Sequence, residues 1–134
     1  MKLDGADMCF ACGKDNPISL GLEFELVDDS TAETTFIPSP EHQGYNGMMH
    51  GGLVSTLLDE AMAKVLELNE IPAVTAELKT RFKEPVKIGE KLLITGKITD
   101  NYKKLYYTEA ELKNKKGKIL ATAEAKFMQA EAKN

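Results

Sequence analysis

The stretch "HQGYNGMMHGGLVSTLLDEAM", residues 42–62, leads into the longest helical pattern of the chain. From Gly52 to about Leu68, apolar residues recur three and four positions apart, which predicts a helix with a wide apolar stripe. Two features are unusual for a helix that packs in a core. Glycines stand at its beginning, and a carboxylate, Asp59, interrupts its apolar residues.

Asp59 falls beside the main apolar stripe when the helix is drawn at about 100° per residue. Its neighbours there are Ser55, Met62 and Leu66. Glu60 falls instead on the side that is predicted to face solvent. A carboxylate among apolar side chains is costly unless water or a polar partner satisfies it. Asp59 is therefore either a residue at the rim of the core or an acid that works in a partly dry cleft.

The glycines Gly51 and Gly52 favour a binding site at the start of the helix. The first N–H groups of a helix lack partners and carry a partial positive charge. Without a Cβ, another group can approach that backbone closely, including the oxyanion that forms when a carbonyl is attacked. His50 precedes the glycines and could contact the same group. In the alternative interpretation the glycines form only a tight turn, and His50 is an ordinary loop residue.

The composition is typical of a single globular domain over residues 1–134. Hydrophobic residues make up 43% and charged residues 28%, so one core can form. The net charge of −4 disfavours a nucleic-acid partner, which usually requires a basic face. No apolar run reaches the roughly 18 residues of a membrane span, and the N-terminus lacks the apolar core of a signal peptide. We expect a cytoplasmic protein that binds neither nucleic acid nor membrane.

Cys9 and Cys12 form the chain's one cysteine pair, within an irregular N-terminal segment, residues 1–19. A zinc ribbon needs four ligands, no second pair exists, and His42 and His50 are distant in sequence. The favoured interpretation is a turn with buried thiols, with a redox dithiol or a zinc site as alternatives. We therefore expect no metal and no cofactor.

The remaining segments alternate in the manner of strands and are separated by turn residues. The order β-β-α-β-β-β-β indicates an α+β architecture, with a six-stranded antiparallel sheet wrapped around one long central helix. The predicted strands are Leu20–Val27, Thr31–Ile37, Ala73–Phe82, Lys91–Asp100, Leu105–Lys113 and Ile119–Met128.

His50-Gly51-Gly52, an apolar run, and then Leu58-Asp59-Glu60-Ala61 together resemble the hotdog-fold acyl-CoA thioesterases of the PaaI-like group that carry an HGG motif. The segments "CFACGKDNPISLGLEF" and "AVTAELKTRFKEPVKIGEKL" are also similar to this family, so the resemblance covers roughly residues 9–128. It implies a hotdog fold, an acyl-CoA substrate and a homodimer, with a homotetramer as an alternative.

The resemblance also implies roles for the motif residues. A backbone N–H at Gly51 or Gly52 polarises the thioester carbonyl, and His50 holds that loop or contacts the carbonyl. Asp59 is the nucleophile or the base that activates water. Thr75 supplies a hydroxyl that positions the water or the acid. In the family the site lies between two protomers, so that His50 and Gly51 of one face Asp59 and Thr75 of the other.

Substrate-binding candidates surround these residues. Many family members carry an asparagine six residues before the histidine, where this chain has a glycine, so two nearby amides are candidates in its place. By period-two alternation, three basic residues share one face of their strand with Thr75 and could meet the phosphates of CoA. The candidates are Gln43, Asn46, Met62, Lys79, Arg81 and Lys83, with Met62 assigned to an acyl tunnel.

Two other functions fit the same family. A hotdog dehydratase or hydratase would be expected to carry an "HFPG"-like loop, which this sequence lacks. A non-catalytic acyl-CoA binding or sensing protein is the alternative from a different class. Asp59 and Thr75 favour catalysis, because a binding protein needs no group that activates water.

Overall fold

A computed structural model describes residues 1–132 and contains one long helix, α1, packed on a six-stranded antiparallel sheet. The helix spans Gly51–Leu68, and a short 3-10 turn, Pro40–His42, precedes it. The strands are β1 (Lys2–Leu3), β2 (Glu25–Asp28), β3 (Thr31–Phe36), β4 (Ala73–Phe82), β5 (Leu92–Tyr102), β6 (Leu105–Asn114), β7 (Ile119–Gln129) and β8 (Glu131–Ala132). The predicted α+β architecture is confirmed.

Strand order across the large sheet is β2-β3-β5-β6-β7-β4, so β2 and β4 form its edges. The two shortest strands, β1 and β8, form a separate parallel pair that joins the two ends of the described chain. The sequence pattern predicts an irregular segment over residues 1–19, whereas the structure contains the short strand β1 within it. No helix within residues 1–132 has the length and apolar character required to cross a membrane.

The core lies between α1 and the inner face of the sheet. Helix and sheet approach so closely at Gly96 of β5 that a Cβ there would overlap the backbone of Ala61 on α1. A glycine is required at this position because only a bare backbone leaves room for the helix. The largest fully buried side chains include Leu57, Leu58, Met62, Leu66, Leu92, Ile94, Leu112 and Phe127.

Residues 7–22, which we call the N-terminal cover, pack on a second side of α1. The N–H of Leu20 donates to the carbonyl of Phe10 at 2.9 Å, and the N–H of Leu22 donates to that of Ala11 at 3.0 Å. Ala11 and Leu22 are both buried and belong to the same core cluster as the helix. The first residues of the predicted strand Leu20–Val27 bond to Phe10 and Ala11 within the cover instead of joining the sheet. The observed strand therefore begins only at Glu25.

The prediction that Glu60 faces solvent is wrong. Its side chain is 9% exposed, because the N-terminal cover lies over this side of the helix. Burial raises the pKa of Glu60 above its usual range. The helical wheel alone could not show this, since the covering residues are about fifty positions away in sequence.

Met62 and Leu66, the apolar neighbours of Asp59 on the helix, are 0% and 1% exposed within a single chain. This side of the helix therefore presents no apolar surface to a partner. The exposed apolar surface lies instead on the edge strand β4, where Leu78 and Phe82 are 38% and 56% exposed. A ten-residue edge strand with unpaired backbone groups is a surface that proteins usually pair or cover.

A β-bulge at Ala76 divides β4 into two parts. Thr75 pairs with the buried Phe127, whereas Glu77 pairs with the exposed Lys126, so one extra residue separates them. The bulge reverses the alternation, and Thr75 points toward the helix. Residues 77, 79 and 81 belong to the opposite, outer face. The prediction that the basic residues share a face with Thr75 is therefore wrong.

Candidate active site

His50 caps the first turn of α1 with its side chain. The N–H of Gly52 donates to Nδ1 of His50 at 2.9 Å, and the N–H groups of Leu53 and Val54 donate to its carbonyl at 3.0 and 3.1 Å. Because Nδ1 accepts, a neutral His50 carries its proton on Nε2. His50 thereby satisfies the N–H groups of Gly52 and Leu53, which the start of a helix would otherwise leave without partners, and its carbonyl also accepts the first regular helical bond, from Val54.

The N–H of Gly51 has no acceptor within residues 1–132. A Cβ added at Gly51 would lie 3.6 Å from the ring of Phe82, so the space in front of this backbone is bounded by an exposed aromatic side chain. Of the two glycines, Gly51 is therefore the one whose N–H can donate to a ligand, because His50 occupies that of Gly52.

A cleft of about 690 Å³ opens beside this helix start. Lys83 is at its wall, whereas Lys79 and Arg81 line a separate cleft on the outer face of the sheet. Lys79 there forms an exposed ion pair with Glu124 at 3.7 Å. The three predicted basic residues are thus not brought together. The helix-start cleft is lined by Gly44, Tyr45, Met48, Met49, His50, Gly51, Val54, Phe82, Lys83, Glu84, Pro85 and Val86.

Gln43 organises the preceding loop with both ends of its amide. Nε2 donates to the carbonyl of Pro40 at 2.8 Å, and Oε1 accepts from the N–H of Gly47 at 2.6 Å. Asn46 is exposed, and neither residue lines the cleft. Met62 is wholly buried and offers no surface to a ligand in this chain. These three substrate-binding predictions therefore receive no support from the geometry.

Asp59 receives a hydrogen bond from the hydroxyl of Thr75, Oγ1 to Oδ1, at 2.7 Å. Burial raises the pKa of Asp59 above its usual range, and the Thr75 hydrogen bond offsets part of this effect. The structure therefore brings together two of the predicted catalytic residues from different elements. The carboxylate is half-buried, and the hydroxyl holds it in a defined orientation at the sheet edge.

Sequence reasoning missed a second polar contact between α1 and β4. The hydroxyl of Ser55, one turn before Asp59, donates to that of Thr80 at 3.2 Å. Ser55 and Asp59 are four positions apart and so share one helical face, which was the available signal. This face is directed at the edge strand, where only β7 pairs with β4 within the described chain.

The two halves of the predicted site are far apart within one chain. Gly51 and Asp59 are eight residues apart on a continuous helix, which places them about 12 Å apart along its axis. A carbonyl bound to the N–H of Gly51 is therefore out of reach of Asp59 in the same chain. The pairs Gly51–His50 and Asp59–Thr75 are separate centres that a second copy could join.

The His50 cap should contribute to the stability of the folded chain. We expect His50→Ala to lower the free energy of unfolding by about 1 kcal/mol, because the N–H of Gly52 loses its acceptor. His50→Asn should restore most of this stability, since asparagine is also a favourable N-cap. Urea unfolding of the three proteins tests the prediction. Equal stability of His50→Ala and the wild type would show that the cap contributes nothing.

Comparisons with known proteins identify the family of this chain. Residues 46–121, more than half of the chain, match the sequence profile of the thioesterase superfamily. The human acyl-coenzyme A thioesterase 13 is 34% identical over 84 residues, which cover 60% of this chain and 60% of the human protein. The match therefore spans less than two thirds of the relative's length.

Solved structures share the fold. The E. coli PaaI protein from the phenylacetic acid degradation operon has a TM-score of 0.76 at 23% identity, covering 81% of this chain and 83% of that chain. A protein from Streptococcus pneumoniae described as a hypothetical thioesterase, solved with coenzyme A, has a TM-score of 0.77 at 20% identity, covering 84% of this chain and 88% of that chain. These matches confirm the predicted PaaI-like hotdog fold, and the chain belongs to the thioesterase superfamily.

Proposed function

We propose that this protein is an acyl-CoA thioesterase, which hydrolyses the thioester of an acyl-CoA to a free acid and CoA. The observation that carries the proposal is the half-buried carboxylate of Asp59, held at 2.7 Å by the Thr75 hydroxyl on the open edge of the sheet. Partial burial of a carboxylate costs free energy, which the Thr75 hydrogen bond only partly offsets, and catalytic acids and bases are commonly found in such settings.

The relatives support the choice of substrate and residues. The human relative is named an acyl-coenzyme A thioesterase, and the Streptococcus pneumoniae thioesterase was solved with coenzyme A. Two further structures of that bacterial protein are single mutants in which an aspartate and a threonine, 16 positions apart, are replaced by alanine. Asp59 and Thr75 have the same separation.

Gly51 and Asp59 are about 12 Å apart along the helix of one chain. We therefore infer that the site forms between two copies of the chain, with Gly51 from one copy and Asp59 from the other. The long edge strand β4 carries exposed Leu78 and Phe82, and Phe82 lies against Gly51. Pairing of β4 with its copy would cover this edge and bring Asp59 of one protomer toward the helix start of the other. We propose a homodimer with two such sites. A homotetramer would consist of two of these dimers and would contain four sites of the same kind.

In this site the thioester oxygen accepts a hydrogen bond from the N–H of Gly51, at the positive end of α1. Asp59 of the other protomer either attacks the carbonyl carbon, forming an anhydride that water then hydrolyses, or takes a proton from the attacking water. Thr75 orients the carboxylate in both cases. The new C–O bond replaces the C–S bond, and CoA leaves as a thiolate that is then protonated.

The cleft beside Gly51 has residues suited to both parts of the substrate, the acyl group and the CoA group. Met48 and Met49 contribute flexible apolar walls, which can adapt to different acyl groups. Lys83 is the basic residue at this cleft and is placed to meet a phosphate of CoA. Lys79 and Arg81 on the outer face of the sheet are less suited to this role, because they do not line this cleft.

A panel of acyl-CoA esters, with CoA release followed by a free-thiol reagent, tests the proposal. We expect catalytic turnover with at least one class of acyl chain, and the pattern of kcat/KM across the panel defines the preference. Binding of acyl-CoA without release of thiol across the panel would instead identify a non-catalytic acyl-CoA binding protein. The absence of both binding and turnover would contradict the proposed substrate class.

A further inference from the structure

The thiols of Cys9 and Cys12 and the carboxylate of Glu60 lie together at the contact between the N-terminal cover and α1. One ligand atom from each residue lies within 4.8 Å of the other two, and Sγ of Cys9 is 3.9 Å from Oε2 of Glu60. The two cysteines are partly buried and Glu60 is buried. The catalytic proposal uses none of these three side chains.

The loop that carries the cysteines is tightly folded. The N–H of Gly13 donates to the carbonyl of Cys9 at 2.8 Å, and that of Cys9 donates to Ala6 at 3.0 Å. A Cβ on Gly13 would overlap the backbone of Cys9, so a glycine is required after the second cysteine. This turn holds both sulfurs on the same side of the loop, facing the helix that supplies Glu60.

A buried carboxylate normally requires a cation, and Glu60 has no salt bridge within the described residues. The nearest candidate is Lys64, one turn further along α1, whose ammonium is bound to Glu67 at 2.8 Å. The side-chain partners of Glu60 are weak donors, the thiols of Cys9 and Cys12. Two sulfur donors and a carboxylate oxygen therefore converge without a matching positive charge among them.

We propose that Cys9, Cys12 and Glu60 bind one Zn²⁺ ion, with a water molecule as the fourth ligand. Thiolate and carboxylate donors suit zinc, and tetrahedral bonds of about 2.3 Å to sulfur and 2.0 Å to oxygen place neighbouring ligand atoms about 3.5–3.8 Å apart. The observed separation of Cys9 and Glu60 is close to this value.

The charge of the three ligands and a cleft beside them are both consistent with a bound divalent cation. Two thiolates, one carboxylate and Zn²⁺ sum to only one negative charge, whereas the same three ionised side chains without the ion carry three. A cleft lined by Cys12, Lys64 and Glu67 adjoins the cluster and provides a route for the ion and for its water ligand. A magnesium or calcium site is disfavoured, because these ions require oxygen ligands.

The ion would connect two parts of the chain. It fastens the N-terminal cover to α1 at the residue that follows Asp59, and so fixes a part of the chain that lies outside the region matching the superfamily profile. The sequence pattern predicts no metal site, because the cysteines and histidines near Cys9 and Cys12 in sequence are too few to complete a set of zinc ligands. The third ligand comes from a helix about fifty positions away and was expected to face solvent.

Metal analysis of the full chain, purified under reducing conditions without chelators, tests the proposal directly. We expect about one zinc per chain and, after chelation, rebinding with Kd below about 1 μM against a competing indicator. Co²⁺ in place of zinc should show sulfur-to-metal charge transfer and the visible bands of a tetrahedral site. Failure of the reduced chain to bind zinc at this affinity would overturn the proposal.

Single substitutions identify the ligands. Cys9→Ser, Cys12→Ser and Glu60→Gln should each weaken zinc binding by about tenfold or more, whereas Glu124→Gln, an exposed control on the outer face of the sheet, should retain it. Zinc should also raise the Tm of the wild type but not of the ligand variants. Unchanged affinity in Glu60→Gln would overturn the three-ligand site. These readouts do not depend on thioesterase activity, so the two proposals fail separately.

Discussion

Replacement of Asp59 with asparagine should leave a folded protein that has lost at least about 99% of its acyl-CoA hydrolysis. An asparagine can still accept the hydrogen bond from Thr75, and it removes the cost of burying a charge. It can neither attack the thioester nor take a proton from water. The decisive measurement is kcat on the best acyl-CoA of the panel, together with unfolding curves that show an intact fold.

Glu67→Gln is the matched control, because Glu67 is an exposed acid on the same helix, eight positions after Asp59. Its kcat should stay close to that of the wild type. Glu60 is unsuitable as a control, since its buried side chain contacts the N-terminal cover. More than about a tenth of wild-type kcat in Asp59→Asn would exclude Asp59 from the chemistry.

Mixing two inactive variants should restore about a quarter of the wild-type activity. Gly51→Val fills the space in front of the N–H that polarises the carbonyl, and Asp59→Ala removes the acid. If each site takes Gly51 from one protomer and Asp59 from the other, a mixed dimer has one site with both lesions and one intact site. Random exchange of equal amounts makes about half of the dimers mixed.

The control for this experiment combines Asp59→Ala with Thr75→Ala. Both residues belong to the same half of the proposed site, so every site in the mixed dimer is damaged and mixing should add no activity. Mass spectrometry establishes subunit exchange, and sedimentation at micromolar concentration should show no monomer. Confirmed exchange of Gly51→Val with Asp59→Ala without recovered activity would contradict the composite site.

Local sequence patterns predicted most of the fold. The predicted strand Ala73–Phe82 agrees with the structure at both ends, and the helix begins one residue before its predicted start. These elements follow from hydrophobic periodicity and turn residues, which act over short distances. The predicted contact of Asp59 with Thr75 is also present, although the role of both residues in catalysis remains a prediction.

The errors concern contacts between residues that are distant in sequence. Glu60 was assigned to solvent because a helical wheel contains no information about a covering segment such as residues 7–22. Met62 is completely buried within one chain, so its predicted place in an acyl tunnel has no support from the geometry. The side-chain cap of His50, which reserves the N–H of Gly51 for a ligand, depends on an orientation that residue spacing does not determine.

The bulge at Ala76 has a consequence for how this protein can change over evolution. Because it reverses the alternation, the first part of β4 is constrained by Asp59, while Glu77, Lys79 and Arg81 project away from the helix. Substitutions on that outer face can alter its charge without moving the hydroxyl of Thr75. One strand thus has a segment held by its contact with Asp59 and an outer face that is separate from that contact, so new assembly contacts on the outer face could arise without disturbing the hydrogen bond between Thr75 and Asp59.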